Sequence, residues 1–129
     1  MKIAVPCEIH PNESRVAATP EVVTQLAKLG FEINIESGCG DAASFNNEAY
    51  REAGACVVND TRALWENADI IIKVRAPEHN QTLDCDEIDL LHSGQTLISF
   101  IWPAQNESLL NKLAAKDVTV MAMDSVPRI

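Results

Sequence analysis

Arg15, Lys73 and Trp102 are the residues whose type and setting could do chemistry. Arg15 lies in Pro6-Cys7-Glu8-Ile9-His10-Pro11-Asn12-Glu13-Ser14-Arg15-Val16, a polar stretch that follows the first apolar run. Its guanidinium is a permanent cation whose fork geometry suits a carboxylate. Spacing alone favours a plainer role, an ion pair with Glu13 or another surface acid. Lys73 closes the run Ile70-Ile71-Ile72, and a lysine at the end of a buried strand is placed for a ligand. The commoner fate of such a lysine is to snorkel into solvent, which is the expectation adopted here. Trp102 belongs to Ser99-Phe100-Ile101-Trp102-Pro103-Ala104-Gln105-Asn106 and reads as a packing residue before a cofactor-stacking one.

Other patterns are weaker. Gly38-Cys39-Gly40 follows a strand, but the third glycine of a GxGxxG loop would fall at Ala43, so the segment reads as a turn. His10, His79 and His92 share no metal-ligand spacing with one another or with Cys7, Cys39, Cys56 and Cys85. No two cysteines form a CxxC pair, so they read as scattered thiols, Cys56 packing as a small hydrophobe within Ala55-Cys56-Val57-Val58. No catalytic set and no metal site are expected.

These residues must be positioned by a fold that 129 residues can build as one domain. With 47% hydrophobic and 22% charged residues the composition is that of a globular chain. A net charge of -9 opposes nucleic acid and anionic membrane surfaces, which require a basic face. No stretch reaches the length of a membrane helix, and nothing resembles a signal peptide, so a reducing cytoplasm is expected.

Short apolar runs at Ile3–Val5, Phe31–Ile35, Ala55–Val58, Ile70–Val74, Thr96–Ile101 and Val118–Met121 read as strands of a buried parallel sheet. Helical patterns separate most of them, which predicts an α/β, three-layer, mostly parallel sheet flanked by helices, Rossmann-like or flavodoxin-like but without its own GxGxxG site. Thr19-Pro20-Glu21 opens the clearest helix, which ends at Gly30 with Val22, Val23, Leu26, Ala27 and Leu29 as its apolar stripe. Asn46 or Asn47, Asn59 or Asp60, and Asn106 are candidate caps for three more. Residues 76–93, with Pro77 and many acids, read as a surface loop with a turn or two of helix near Asp84 to Leu91. The chain stops after its last strand, so the expectation is of a sheet with an apolar surface left for one more layer, or for a dimer partner.

Asn12 to Pro20, Glu36-Ser37-Gly38-Cys39-Gly40, Ile71-Ile72-Lys73-Val74 and Ser99 to Asn106 together resemble the family that joins the alpha subunit of proton-translocating nicotinamide nucleotide transhydrogenase with alanine dehydrogenase. The resemblance spans the whole chain and is closer to the transhydrogenase side, above all in Ser99 to Asn106 and Val118 to Ile129. In the dehydrogenases, the resemblance implies, residues matching Arg15 and Lys73 hold the keto-acid, while a histidine in the place of Trp102 transfers a proton. Indole has no basic nitrogen, so amino-acid dehydrogenation should be lost. What remains is hydride transfer between NAD(H) on this component and NADP(H) on a partner, which needs no substrate acid or base.

The same resemblance implies further features. The beta subunit and a second alpha subunit would be partners in a homodimeric assembly on the cytoplasmic side of the bacterial inner membrane, with no membrane insertion by this segment. Arg128 matches the arginine of a loop that reaches the nicotinamide, and Ile129 accompanies it as a cofactor contact. Residues 1–129 would then form the amino-terminal domain, cut at the start of that loop and inactive alone. An alanine dehydrogenase and a freestanding flavodoxin-like binding module stay as alternatives.

Overall fold

The computed structural model describes residues 1–102 and 106–123. Arg128 and Ile129, the expected cofactor contacts, lie outside the described residues, as do the second half of the stretch from Val118 to Ile129 and residues 103–105 of the stretch from Ser99 to Asn106. Six strands, β1 (Lys2–Val5), β2 (Glu32–Glu36), β3 (Cys56–Val58), β4 (Ile70–Ile72), β7 (Thr96–Ser99) and β8 (Thr119–Ala122), form one parallel sheet. Their order is β3-β2-β1-β4-β7-β8. The sheet therefore grows outward in both directions from the β1–β4 pair, and this reversal creates a crevice beyond the carboxyl ends of those two strands.

Apolar strand residues force helices onto both faces. Helices α1 (Pro20–Lys28) and α2 (Asn47–Glu52) pack one side, around Ile3, Val5, Val23, Ile33, Ile35 and Tyr50. On the other side α3 (Thr61–Glu66) and α4 (Glu107–Ala115) cover Ala4, Ile71, Leu97 and Ile101, with Trp65 and Leu113. The caps follow from chemistry: Thr19 accepts from the Val22 amide, Asn46 from Ala49 and Asp60 from Ala63, each satisfying an amide that the first helical turn leaves unbonded. Asn106 differs. Its side-chain amide donates to the Ile101 carbonyl, and α4 starts with no side-chain cap.

The apolar stripe of α1 is narrower than expected. Val23 is buried and Leu26 and Ala27 pack beside it, whereas Val22 is 39% and Leu29 73% exposed. At about 100° per residue, Val22 and Leu29 fall on one flank roughly a quarter-turn from Val23. Cys56 is exposed on the edge strand β3 and does not pack as a small hydrophobe.

Residues 76–93 are more than a surface loop, although the helical turn expected near Asp84 to Leu91 is present. A short hairpin, β5 (His79–Asn80) with β6 (Cys85–Asp86), leads into a 3₁₀ turn at Glu87–Leu90. Ala76, Ile88, Leu90 and Leu91 are buried in the core beneath α3. The acids misled: Glu78, Asp84, Asp86 and Asp89 dominate the composition, while apolar residues between them carry the packing. On the opposite face, the β8 edge of the sheet carries exposed apolar residues. Met121 pairs with Ile98 and shares its face, yet is 56% exposed, and Met123 is 43% exposed. No helix among the described residues covers that part.

Candidate functional site

The loop after β1 and the residues after β4 meet at the crevice, where Glu8, Glu13 and Arg15 from the first converge with Lys73 and Arg75 from the second. Glu8 lies deepest. One carboxylate oxygen accepts from Lys73 Nζ at 3.2 Å and the Arg75 amide at 2.9 Å, and the other from the Val74 amide at 3.0 Å. Lys73 also lies 3.5 Å from Glu87. Its side chain is 1% exposed, so the lysine does not snorkel. The sequence suggested solvent because the partners that hold it are remote in the chain: Glu8 precedes it by 65 residues, and Glu87 follows in the misread segment.

A second layer lies nearer the mouth. Glu13 takes Nε and Nη2 of Arg15 at 2.9 and 2.8 Å, and Nε of Arg75 at 2.8 Å. The hydrogen bonds from Arg15 hold the Glu13 carboxyl well below the usual carboxylate range. The ion pair expected for Arg15 is therefore present, and Arg75 joins it. Arg75 lies 5.5 Å over the indole of Trp102, a cation–π distance, and Trp102 stacks on Phe100 with centroids 5.9 Å apart. Trp102 is 37% exposed. It packs on one side and borders the cleft on the other, with a left-handed backbone at φ 48°.

The cleft, of about 200 Å³, is lined by His10, Arg75, Ala76, Pro77, Glu78, Trp102 and Asn106. His10 Nδ1 meets Glu78 at 2.9 Å. Of the three residues nominated from sequence, the structure brings Arg15 and Trp102 together through Arg75 and Glu13, and places Lys73 beneath them. Arg75 was missed as a site residue. The available signal was strand alternation: Ile71 and Lys73 point into the same layer, and a residue beyond the strand end is freer to reach the mouth.

This arrangement can hold an anionic or planar group beside the Arg75 guanidinium and the indole of Trp102. It is not a phosphate loop. A dinucleotide-binding turn would follow β1 directly, with glycines whose amides face the pyrophosphate. Here residues 6–19 contain no glycine, and Glu8 and Glu13 bring negative charge to that place. The amides of Val74 and Arg75 are already given to Glu8.

Gly38 and Gly40 form a turn, as expected. Gly38 has φ +81°, and a Cβ on Gly40 would lie 2.7 Å from both the Phe45 carbonyl and the Tyr50 ring. The close approach seats Tyr50, whose hydroxyl donates to the Ala18 carbonyl at 2.7 Å. The thiols offer no nucleophile nearby: burial pushes Cys7 up strongly and Cys39 up to about 12. Among the described residues no group of three His, Cys, Asp or Glu could hold a metal, and no helix is long and apolar enough to cross a membrane.

The fold and site define a doubly wound α/β lobe whose switch-point crevice is filled by ion pairs instead of a glycine-rich loop. The chain belongs to the family described as alanine dehydrogenase/PNT, N-terminal domain, which matches residues 4–129. It is 51% identical over 129 residues to NAD(P) transhydrogenase subunit alpha of Cereibacter sphaeroides, covering 100% of this chain and 24% of that one. It is 36% identical over 126 residues to alanine dehydrogenase of Bacillus subtilis, covering 98% of this chain and 32% of that enzyme. The solved transhydrogenase of Sinorhizobium meliloti superposes with a TM-score of 0.89 at 35% identity, over 100% of this chain and 36% of the other. The chain thus spans about a quarter to a third of the length of these relatives.

Proposed function

We propose that this chain is the amino-terminal lobe of the NAD(H)-binding component of a transhydrogenase, which passes hydride between NAD(H) and NADP(H). The observation that carries the reading is Trp102 at the mouth of the cleft, above Arg75, where a dehydrogenase of this family would need a histidine. An indole cannot exchange a proton near neutral pH, whereas direct hydride transfer between nicotinamides asks for none. The higher identity to a transhydrogenase alpha subunit than to alanine dehydrogenase supports the same side.

In this proposal residues 1–129 form one domain that supplies scaffold and one wall of the cleft. Arg15, Arg75 and Trp102 are the remnant of a substrate pocket, and Lys73 supports it from below. Arg128 and Ile129 contact the nicotinamide end of NAD(H). The partners are a beta subunit that holds NADP(H) and a second alpha subunit, on the cytoplasmic side of a bacterial inner membrane, with hydride transfer coupled to proton movement.

Because Glu8 and Glu13 occupy the place of a phosphate loop, the chain alone gives no NADH binding heat in titration calorimetry. Micromolar binding would overturn the assignment of the dinucleotide site to sequence outside these residues.

A further inference from the structure

Behind the cleft, two carboxylates share one ammonium in a place that water barely reaches. The side chains of Lys73, Glu8 and Glu87 are 1%, 2% and 2% exposed, and an uncompensated buried charge is costly. The donors are unevenly divided. Three converge on Glu8: Lys73 Nζ and the amides of Val74 and Arg75. Glu87 accepts one amide, from Glu78 at 2.9 Å, and has the ammonium only at 3.5 Å. The surplus negative charge is therefore relieved most easily by a proton on Glu87. The adjacent sheet position holds a second polar group: Ser99 lies one residue beyond Ile98, as Lys73 lies one beyond its partner Ile72, and its buried hydroxyl has no hydrogen-bond partner.

Glu87 also sits at a mechanical point. Its amide donates to the Glu78 carbonyl at 2.8 Å while its carboxylate accepts from the Glu78 amide, so the residue clips the base of the β5–β6 hairpin. That hairpin follows Pro77 and Glu78, which line the cleft. We propose that Glu87 is a proton-operated latch: protonated, it holds the segment 76–91 against the sheet, and ionised, it loosens that segment and the cleft wall it carries.

The surroundings leave few other groups to titrate against it. From α3 the buried side chains are Leu64 and Trp65, while Arg62 bonds the Leu83 carbonyl and Glu66 is exposed. On α4, Lys112 lines an outer groove with Asp86, and Lys116 bonds the Leu91 carbonyl. In the hairpin Asp86 pairs with His79, and at the mouth His10 pairs with Glu78. Lys73 and Glu8 are the charges that face Glu87.

Burial raises the Glu87 carboxyl from 4.5 to about 7, with Lys73 offsetting only part of the effect. A folded value above the unfolded one means the latch is fully engaged below about pH 4.5 and is lost as pH rises to about 7. If opening exposes Glu87 to water, the opening constant climbs about tenfold per pH unit across that window and then levels off.

The test combines carboxyl NMR of ¹³C-glutamate-labelled protein with hydrogen exchange of the 78–91 amides from pH 5 to 8, corrected for intrinsic exchange. The expected result is one glutamate titrating near 7, absent in Glu87→Gln, and a fall in protection with rising pH that the variant lacks. Subtracting the variant's profile removes any contribution of the His10–Glu78 pair. Identical exchange profiles would overturn the latch. If the variant fails to fold, the wild-type titration decides alone: a Glu87 midpoint near 7 supports the proposal, and one below 5 overturns it.

Discussion

Replacing Lys73 with methionine lowers the unfolding free energy by about 3–5 kcal/mol at pH 8, the usual result of removing one partner from a buried ion pair. The loss is large against a total that for single domains is about 5–15 kcal/mol. Methionine fills the volume of the lysine stem, so the effect isolates the ammonium. Without it, Glu8 and Glu87 are two buried carboxylates facing each other, and the backbone amides that bind Glu8 cannot neutralise both. Stability should fall further as pH rises, because a proton on Glu87 is the only relief left. Adding Glu87→Gln to Lys73→Met should recover part of the loss. Urea midpoints at pH 5 and pH 8 measure both effects. A loss below about 1 kcal/mol, as for a solvent-exposed lysine pair, would contradict the buried cluster.

The second large effect concerns chemistry. Residues 1–129 grafted in place of the matching segment of Bacillus subtilis alanine dehydrogenase should lower alanine-dependent NADH formation by about 10²–10⁴-fold, the usual contribution of a positioned acid–base group. The graft keeps Arg75 in the cleft and Arg15 beside it on Glu13, so a carboxylate could still be held there. It lacks a group at position 102 that can accept the proton. Trp102→His in the same graft should restore at least part of the rate, with a pH profile that the tryptophan form lacks. Circular dichroism and NADH binding would establish that both grafts fold. Unimpaired turnover with Trp102 in place would remove the argument that separates the two branches of the family.

Much of the fold was legible because its signals are local. Thr19, Asn46 and Asp60 cap as side chains of their type do next to a helical run, and six apolar runs became the six strands of the main sheet. Local reading failed where partners are distant in the chain. Lys73 looked solvent-bound because Glu8 is 65 residues away, and only the β1–β4 pairing brings the two together. The segment 76–93 looked like a loop because its acids hid Ile88, Leu90 and Leu91, and because a hairpin with a 3₁₀ turn has no long period to detect. The site was half legible. Arg15 with Glu13, and Trp102 at the mouth, follow from spacing and from the family resemblance. Arg75 does not, since its role arises from where β4 ends.

The most direct test of the transhydrogenase assignment is to graft this chain onto the Cereibacter sphaeroides alpha subunit in place of its matching quarter and follow hydride transfer from NADH to NADP⁺ in the assembled enzyme. The account predicts transfer at a rate comparable with the parent's. A folded graft that binds NADH but transfers no hydride would contradict it.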